Sequence, residues 1–415
     1  MFHFTEALMR PTSLKSLLAS AALCFSFATS LGSANADAWT DDTLDAARGQ
    51  TVYFHAWGGE QRINAYIDWA AKEIEQRYGV TVEHVKVSET GAVVSQVVGE
   101  KTAGRDKGGS VDLVWINGEN FATLKSQGLL SAPGWAQSLP NWKYVDAEGK
   151  PTVLNDFTVP TDGQESPWGM AQLVFMYDTR VLSEPPRSLE ALAALTERQP
   201  GRFTYPQPPS FYGTTFLKQA LINLIVDPDK LSKPVNADTF EAETRPLFAY
   251  LDELHKNLWR GGEVFPKNAA QLRLLLADGE LDVAFSFNPS DASAAIANNE
   301  LPNTIRTFVF DGGTIGNTHF LAIPYNSSAK EGAMVLANFL LSPEAQARKQ
   351  DPTYWGDPTV LNLKSLDADD RAAFDRLDLG IATLTPEQLG NTLPEPHPSW
   401  VTALEKAWVE RYGGN

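Results

Sequence analysis

The chain has 415 residues, of which 43% are apolar and 20% are charged, and its formal net charge is −17. This length and composition are typical of a soluble globular protein that is large enough for two lobes. The strong negative charge argues against the basic surface that nucleic acids require, so we expect no nucleic-acid partner.

The first 36 residues have the pattern of an export signal. Arg10 and Lys15 precede an apolar run over 17–31, and a small-x-small site follows at 34–36. A run of about 15 residues is too short for a confident membrane span. We predict a signal peptide over 1–36, cleavage after Ala36, and a mature protein in the periplasm that meets the membrane only through a partner. The only cysteine, Cys24, is lost with this segment, which excludes disulfides and thiolate chemistry.

The next part of the chain alternates between strand and helix patterns. Strands are predicted over 51–56, 80–87 and 111–116, and helical periodicity follows each of them. The first helix carries apolar residues at regular spacing until Gly79 stops it. This β-α-β-α-β-α order indicates a mostly parallel sheet with helices on both faces.

The pattern changes after a junction rich in proline and glycine at 160–169. An extended apolar run over 168–178 is followed by predicted helices that begin near 187, 210, 240 and 269. Strands are predicted over 202–206, 281–287 and 305–310, and a second glycine-rich junction at 311–317 leads back to an extended run. We therefore expect two lobes joined by at least two crossing segments, with a ligand cleft at the strand ends.

The sequence contains no G-x-S-x-G elbow, no H-E-x-x-H and no Walker A loop, and the mature histidines lack metal-ligand spacing. His55 and His319 could meet in the cleft, although hydrogen-bonded structural histidines are more common. We expect no enzyme activity, no cofactor and no bound metal. An exported carbohydrate-cleaving enzyme that uses cleft carboxylates is the alternative.

Aromatic residues and turn residues are concentrated where the predicted strands end. Glycines there let a ligand approach the backbone, helix N-termini offer free N–H groups, and Trp or Tyr rings offer stacking faces. Each residue also has a structural interpretation, such as a core tryptophan or a helix cap. The predicted ligand-binding residues are Trp57, Gly58, Gly59, Glu60, Trp115, Asn117, Gly118, Trp168, Ser210, Tyr212, Asn288, Ser290, Asp291, Trp355 and Asp357.

Several stretches resemble the extracytoplasmic solute-binding proteins of ABC importers. They include YFHAWGG (53–59), VDLVWING (111–118), the segments 187–216 and 269–292, and EGAMVLANFLLSPEAQ (331–346), which is the most specific. Within that superfamily the chain is most similar to the branch of thiamine, iron and polyamine binders, and it looks closest to the YnjB-type binding proteins.

The resemblance implies an α/β, two-lobed type II periplasmic-binding-protein fold. Each lobe should be a mostly parallel sheet flanked by helices, and a hinge near 167–170 and 310–317 should join them. Lobe I is expected to comprise 37–166 and 317–362, and lobe II 167–316 and 363–415. The implied ligand is a small-molecule solute. The implied partners are an ABC permease and its ATPase subunit. We expect the protein itself to be a monomer.

The resemblance leaves the ligand open. Iron-binding relatives use a neighbouring Tyr-Tyr pair that is missing here, which disfavours ferric iron. Glu60, Glu119, Asp291 and Asp357 would suit a polyamine-like ligand. The Trp-rich loops suit a thiamine-like ligand or another organic molecule with an aromatic or cationic face somewhat better. A sugar or a phosphorylated solute is also compatible with the helix N-termini.

Overall fold

The computed structural model describes residues 38–413. The predicted signal peptide over 1–36, with Cys24 and the cleavage site after Ala36, lies outside these residues and stays a prediction. The described chain forms one compact unit. None of its helices has both the length and the hydropathy of a membrane span.

The first part of the chain alternates strands and helices, as the sequence predicts. Its elements are α1 (Thr43–Ala47), β1 (Thr51–Trp57), α2 (Gln61–Tyr78), β2 (Thr81–Val87), α3 (Thr90–Thr102), β3 (Leu113–Ile116) and α4 (Glu119–Ser126). Three 3₁₀ turns follow at Ala136–Ser138, Pro140–Tyr144 and Pro151–Leu154. The chain then forms β4 (Asn155–Asp156), β5 (Val159–Pro160), β6 (Glu165–Gln172) and β7 (Val174–Asp178).

Helices dominate the second part of the chain. Its elements up to the last long strand are α5 (Leu189–Arg198), α6 (Phe211–Leu224), α7 (Phe240–His255), α8 (Ala269–Ala277), β8 (Val283–Ser286), α9 (Asp291–Ala297), β9 (Ile305–Phe308) and β10 (Thr314–Ala322). They are followed by α10 (Lys330–Leu340), α11 (Pro343–Gln350), α12 (Ala368–Asp375), α13 (Pro386–Leu389), β11 (Thr392–Leu393) and α14 (Pro398–Tyr412). Further 3₁₀ turns lie at Pro228–Ser232, Trp259–Gly262 and Leu363–Ser365.

Helix α2 shows how the local sequence sets these boundaries. The side chains of Ile63, Ile67 and Ile74 recur on one face and are buried. The Glu60 side chain caps the N-terminus, and Gly79 ends the helix with a φ of +67°. Glycine adopts this left-handed conformation without the steric penalty of a side chain, so the helix stops where the sequence predicts.

The larger sheet belongs to the first lobe and has the strand order β11-β10-β3-β1-β2, with β6 paired to β10. Strand β1 pairs in parallel with β2 and β3, whereas β10 runs antiparallel to β3 and β6. The smaller sheet belongs to the second lobe and has the order β8-β7-β9. Both of its strand pairs are antiparallel.

The antiparallel pairing of the smaller sheet differs from the expectation of a mostly parallel sheet in each lobe. The difference follows from the chain path. Strands β8 and β9 each follow a helix and run in the same direction on either side of β7. Strand β7 enters the sheet directly from β6 of the first lobe and runs the opposite way, so it forms antiparallel pairs with both neighbours.

The predicted strand over 202–206 is not a strand in the structure. The segment is extended and buried at Phe203 and Tyr205. The carbonyl of Arg202 accepts a hydrogen bond from the amide of Asp282, and the carbonyl of Phe203 accepts one from the amide of Trp259. Its apolar composition therefore reflects burial between other elements and not regular sheet pairing.

Each lobe has its own apolar core. The core of the first lobe contains Phe54 and Leu321, and the core of the second lobe contains Phe175 and Ile315. Strand β10 contributes Ile315 to one core and Leu321 to the other, so it crosses between the lobes. Phe374 of α12 packs in the core of the first lobe, in contrast to the expected grouping of 363–415. The exact lobe boundaries stay a prediction.

A buried glutamine connects the segments that cross between the lobes. The Gln172 amide nitrogen, at the end of β6, donates to Thr314 Oγ1 in β10 and to the Leu389 carbonyl, both at 3.1 Å. Its Oε1 accepts a hydrogen bond from Thr392 Oγ1 at 3.3 Å. One side chain therefore joins three separate passages of the chain in the hinge region.

Replacing Gln172 with alanine should lower the free energy of unfolding by about 1–3 kcal/mol, because one buried and two partly buried hydrogen bonds are lost. Urea denaturation measures the effect. The matched control is Gln61→Ala at the exposed start of α2, which should change stability by less than about 0.5 kcal/mol. Equal effects of the two substitutions would show that the glutamine contacts in the hinge do not contribute.

Candidate functional site

A cavity of about 230 Å³ lies between the two lobes. The first lobe contributes Trp57 from the end of β1 and Trp115 from the end of β3. The second lobe contributes Tyr212 from the first turn of α6 and Asn288 from the loop after β8. The cavity therefore lies at the strand ends and helix N-termini of both lobes, where the sequence predicts a ligand cleft.

The structure brings about half of the predicted ligand-binding residues to this cavity. Those that line it are Trp57, Trp115, Asn117, Ser210, Tyr212, Asn288, Trp355 and Asp357. Those that are not among its lining residues are Gly58, Gly59, Glu60, Gly118, Trp168, Ser290 and Asp291. Whether any of them contacts a ligand stays a prediction.

Two tryptophans and a histidine form one wall of the cavity, and a third tryptophan packs behind them. The ring centroid of Trp115 lies 5.6 Å from that of Trp355 and 5.2 Å from that of His319. Trp168 is fully buried, with its ring centroid 5.0 Å from Trp115 and 5.2 Å from Trp355. Its role in the structure is to support the two rings that face the cavity, at separations typical of aromatic pairs.

The glycines at the strand ends make room for aromatic rings of the protein itself. A Cβ on Gly59 would collide with the Trp57 ring. Gly118 has a φ of +60°, and a Cβ there would lie 2.6 Å from the Phe157 ring. Both Trp57 and Phe157 line the cavity. The glycines therefore position cavity residues, in addition to any approach of a ligand to the backbone.

The Trp355 side of the cavity carries a buried and internally neutralised charge. Lys349 Nζ lies 2.6 Å from Asp357 Oδ2, and His319 Nε2 lies 3.0 Å from Asp357 Oδ1. Burial lowers the pKa of the Lys349 ammonium, and the Asp357 carboxylate opposes this shift. Because Lys349 neutralises Asp357, this carboxylate has little charge left for a ligand.

Three further carboxyl groups line the cavity, and none of them forms a salt bridge with a described residue. Burial raises the pKa of Glu119 to about 7, against the attraction of Lys218. Burial also raises the pKa of Glu405, although Thr214 Oγ1 donates a 2.7 Å hydrogen bond to its Oε1. Partial burial and the nearby charge of Glu119 raise the pKa of Glu89. All three carboxyl groups are therefore harder to ionise in the cleft than in water.

The cation that acts on Glu119 and Glu405 is already paired. Lys218 Nζ lies 2.6 Å from Glu395 Oε2, and both side chains are buried. The ammonium also lies 4.7 Å from the Phe157 ring centroid and 5.6 Å from that of Phe211. Lys218 therefore offsets only part of the negative potential of this region, which we call the acidic end of the cavity (Glu89, Glu119 and Glu405).

Glu60 and Asp291 lie beside the cavity and form ion pairs with arginines. Arg273 pairs with both carboxylates, and Arg62 pairs with Asp291. Ser290 is buried, and its amide donates to Asn288 Oδ1 at 2.9 Å. These residues shape the surroundings of the cavity in the structure.

Sequence reasoning missed several residues of the cavity. Ser88, Glu89 and Thr90 directly follow β2, so the rule that selected Trp57 and Trp115 applies to them as well. The same rule applies to Phe287, which directly follows β8. Other missed residues lie inside helices or in irregular loops, where the sequence gives no comparable indication. They are Asn120, Phe157, Phe211, Thr214, Lys218, Asn268, Val401 and Glu405. Glu119, which the sequence offered for a polyamine-like ligand, also lines the cavity.

Within residues 38–413, no group of three or more His, Asp or Glu side chains is arranged to hold a metal ion. The lining combines aromatic faces, amide and hydroxyl groups and the acidic end. This combination suits noncovalent binding of a small organic molecule, since each group type is a donor, an acceptor or a stacking surface.

The comparisons with known proteins agree with this architecture. The family model described as bacterial extracellular solute-binding protein matches residues 69–362. The chain is 45% identical over 389 residues to protein YnjB of Escherichia coli (strain K12), covering 94% of this chain and 96% of that protein.

Solved structures share the fold at low sequence identity. A putative spermidine/putrescine ABC transporter protein from Listeria monocytogenes matches with a TM-score of 0.62 and 16% identity, over 88% of this chain and 99% of that one. A periplasmic thiamin binding protein matches with a TM-score of 0.58 and 18% identity, over 87% and 95% of the two chains.

The chain belongs to the family of bacterial extracellular solute-binding proteins. It is a solute-binding protein, and the cavity between its two lobes is the candidate site for a small solute. The resemblance to YnjB-type proteins and the two-lobed type II fold are confirmed.

Replacing Glu119 with glutamine should stabilise the ligand-free protein at pH 8. Since the fold raises the pKa of Glu119 to about 7, the folded state favours the protonated carboxyl group. The resulting stability is complete below the unfolded pKa of about 4.3 and is lost as the pH rises through 7. Glutamine imitates the protonated form, so the gain at pH 8 should be on the order of 1–3 kcal/mol.

Urea denaturation at pH 8 and pH 4 measures this difference, which should nearly vanish at the lower pH. Glu83→Gln in β2, an exposed glutamate, is the control and should show little effect at either pH. A destabilised Glu119→Gln variant at pH 8 would contradict the proposed electrostatic strain.

Proposed function

We propose that the solute is a small organic cation with a flat or apolar portion. The observation that carries the proposal is the acidic end of the cavity, where Glu89, Glu119 and Glu405 are held at raised pKa values beside an aromatic wall. A bound positive charge would stabilise the ionised carboxylates, because an opposite charge within a few ångströms lowers a carboxyl pKa.

The aromatic wall supports the flat or apolar portion of the proposed ligand. Trp57, Trp115 and Trp355 offer ring faces, and the carboxylate on that side, Asp357, is paired with Lys349. An uncharged ring or alkyl segment fits this wall, and a cationic group fits the acidic end. A thiamine-like cation matches this division better than a polyamine-like chain, whose charges are spread along its length.

We further propose that the protein is the substrate-binding component of an ABC transporter and delivers its solute to a membrane permease that an ATPase subunit drives. It would act without catalysis, as a monomer in the periplasm after signal-peptide removal. Membership of an extracellular solute-binding family supports the location and the binding role, and the fold shared with an ABC transporter protein supports the transport role. The alternative that the sequence offered is an exported glycosidase with Glu60 and Asp291 as its carboxylate pair. Glu60 and Asp291, the pair that this alternative would use, are engaged with Arg273 and Arg62.

Thermal unfolding with three probes tests the ligand class. Thiamine should raise the melting temperature most, spermidine less, and glucose 6-phosphate not at all. A ligand at 100 times its dissociation constant adds about 2.7 kcal/mol of stability. Stabilisation by the sugar phosphate alone would contradict the cation proposal. Native mass spectrometry of the purified protein would then identify the retained solute.

Substituting the acidic end should weaken binding of the best cationic probe. Losing a hydrogen bond to a charged group costs about 1.5–3 kcal/mol. Glu119→Gln and Glu405→Gln should therefore each raise the Kd about 10- to 100-fold. Isothermal titration calorimetry measures this, with Glu83→Gln as the control that keeps wild-type affinity. Unchanged affinity in both acidic-end variants would mean that the charge is recognised elsewhere.

A further inference from the structure

We propose that an interlobe ion-pair cluster, formed by Glu60, Arg62, Arg273 and Asp291, holds the lobes closed independently of the ligand. Glu60 and Arg62 belong to the start of α2 in the first lobe. Arg273 lies on α8 and Asp291 begins α9, both in the second lobe. Residues that are more than 200 positions apart in the chain thus meet beside the cavity.

Two ion pairs of the cluster cross between the lobes. Arg273 Nη2 lies 2.8 Å from Glu60 Oε2, and Arg62 Nη2 lies 3.0 Å from Asp291 Oδ1. The four side chains are only 12–17% exposed. Water screens such partly buried pairs less than exposed ones, so they stabilise the closed arrangement more than typical surface ion pairs.

The cluster is also suited to open again. Each lobe contains an internal pair, Arg62 with Glu60 at 3.6 Å in the first and Arg273 with Asp291 at 3.0 Å in the second. When the lobes separate, each charge therefore keeps a partner of opposite sign. Opening does not leave an isolated buried charge, which would otherwise make the closed form nearly irreversible.

The cluster lies next to the ligand cavity but outside its lining. Ile63, one residue after Arg62, lines the cavity, as does Asn268 near the start of α8. Asp291 and Arg273 are close enough to Tyr212, another lining residue, to act electrostatically on its hydroxyl group. Because the cluster is this close, its pairs can form only when the cleft around the solute is closed. It therefore favours closure and should make it sensitive to ionic strength.

Small-angle X-ray scattering of the ligand-free protein tests this proposal without knowledge of the solute. In 20 mM NaCl the wild type should have a smaller radius of gyration than in 500 mM NaCl, because salt weakens the crossing pairs. Arg273→Gln should lower the ratio of closed to open molecules about fivefold to tenfold in low salt and remove most of the salt dependence.

Arg77→Gln is the matched control. Arg77 also pairs with two carboxylates, Glu73 and Glu344, but all three lie in the first lobe. Its radius of gyration should follow the wild type at both salt concentrations. If Arg273→Gln also follows the wild type, the cluster does not hold the lobes together and the proposal fails.

A charge exchange separates closure from a general folding defect. Glu60→Lys alone places two cations opposite Arg273 and should favour the open form. Adding Arg273→Glu restores attraction between the lobes and should return the low-salt radius of gyration to the wild-type value or below it. A double variant that is as open as Glu60→Lys would overturn the proposal.

Discussion

The structure depends on how charge is neutralised where the two lobes meet. The cavity there is small and lined by tryptophan, phenylalanine and tyrosine rings, an environment that disfavours unpaired charges. Lys349 neutralises Asp357 and Lys218 neutralises Glu395, both within 2.6 Å. Burial leaves Glu89, Glu119 and Glu405 with raised pKa values, so a positive charge beside them would be stabilising.

This imbalance connects structure and function in a simple way. Removing a carboxyl group from the acidic end would relieve strain in the empty protein, but it would also remove a partner for the solute. Ligand-binding sites commonly show such opposition between stability and activity. The ion pairs of Glu60, Arg62, Arg273 and Asp291 act separately, because each carboxylate has an arginine partner and none of the four residues lines the cavity.

Much of the fold could be predicted from the sequence, because local patterns determine it. The periodicity of Ile63, Ile67 and Ile74 and the stop at Gly79 give α2 almost to the residue. The antiparallel pairing of β7 could not be predicted, since it depends on the direction in which the chain enters the second lobe. The extended segment over 202–206 was mistaken for a strand because burial alone produces the same apolar composition.

The candidate site was predictable where it follows strand ends and unpredictable where it depends on tertiary packing. Trp57 and Trp115 lie at the ends of β1 and β3, Asn117 directly follows β3, and all three reach the cavity. Lys218 and Glu405 lie within helices, and only the packing of α6 and α14 brings them there. The sequence predicts Glu60 as a ligand contact, which stays a prediction, but it could not show that Arg273, 213 residues away, donates a hydrogen bond to this carboxylate.

The pH dependence of cation affinity tests the central claim most directly. Calorimetric titration of the tightest-binding cationic probe between pH 5.5 and 8.5 would report whether the acidic end must ionise to bind it. Because the pKa of Glu119 lies at about 7 in the empty protein, affinity should rise about tenfold or more across this range. An affinity that is independent of pH, or that falls as the pH rises, would contradict the account.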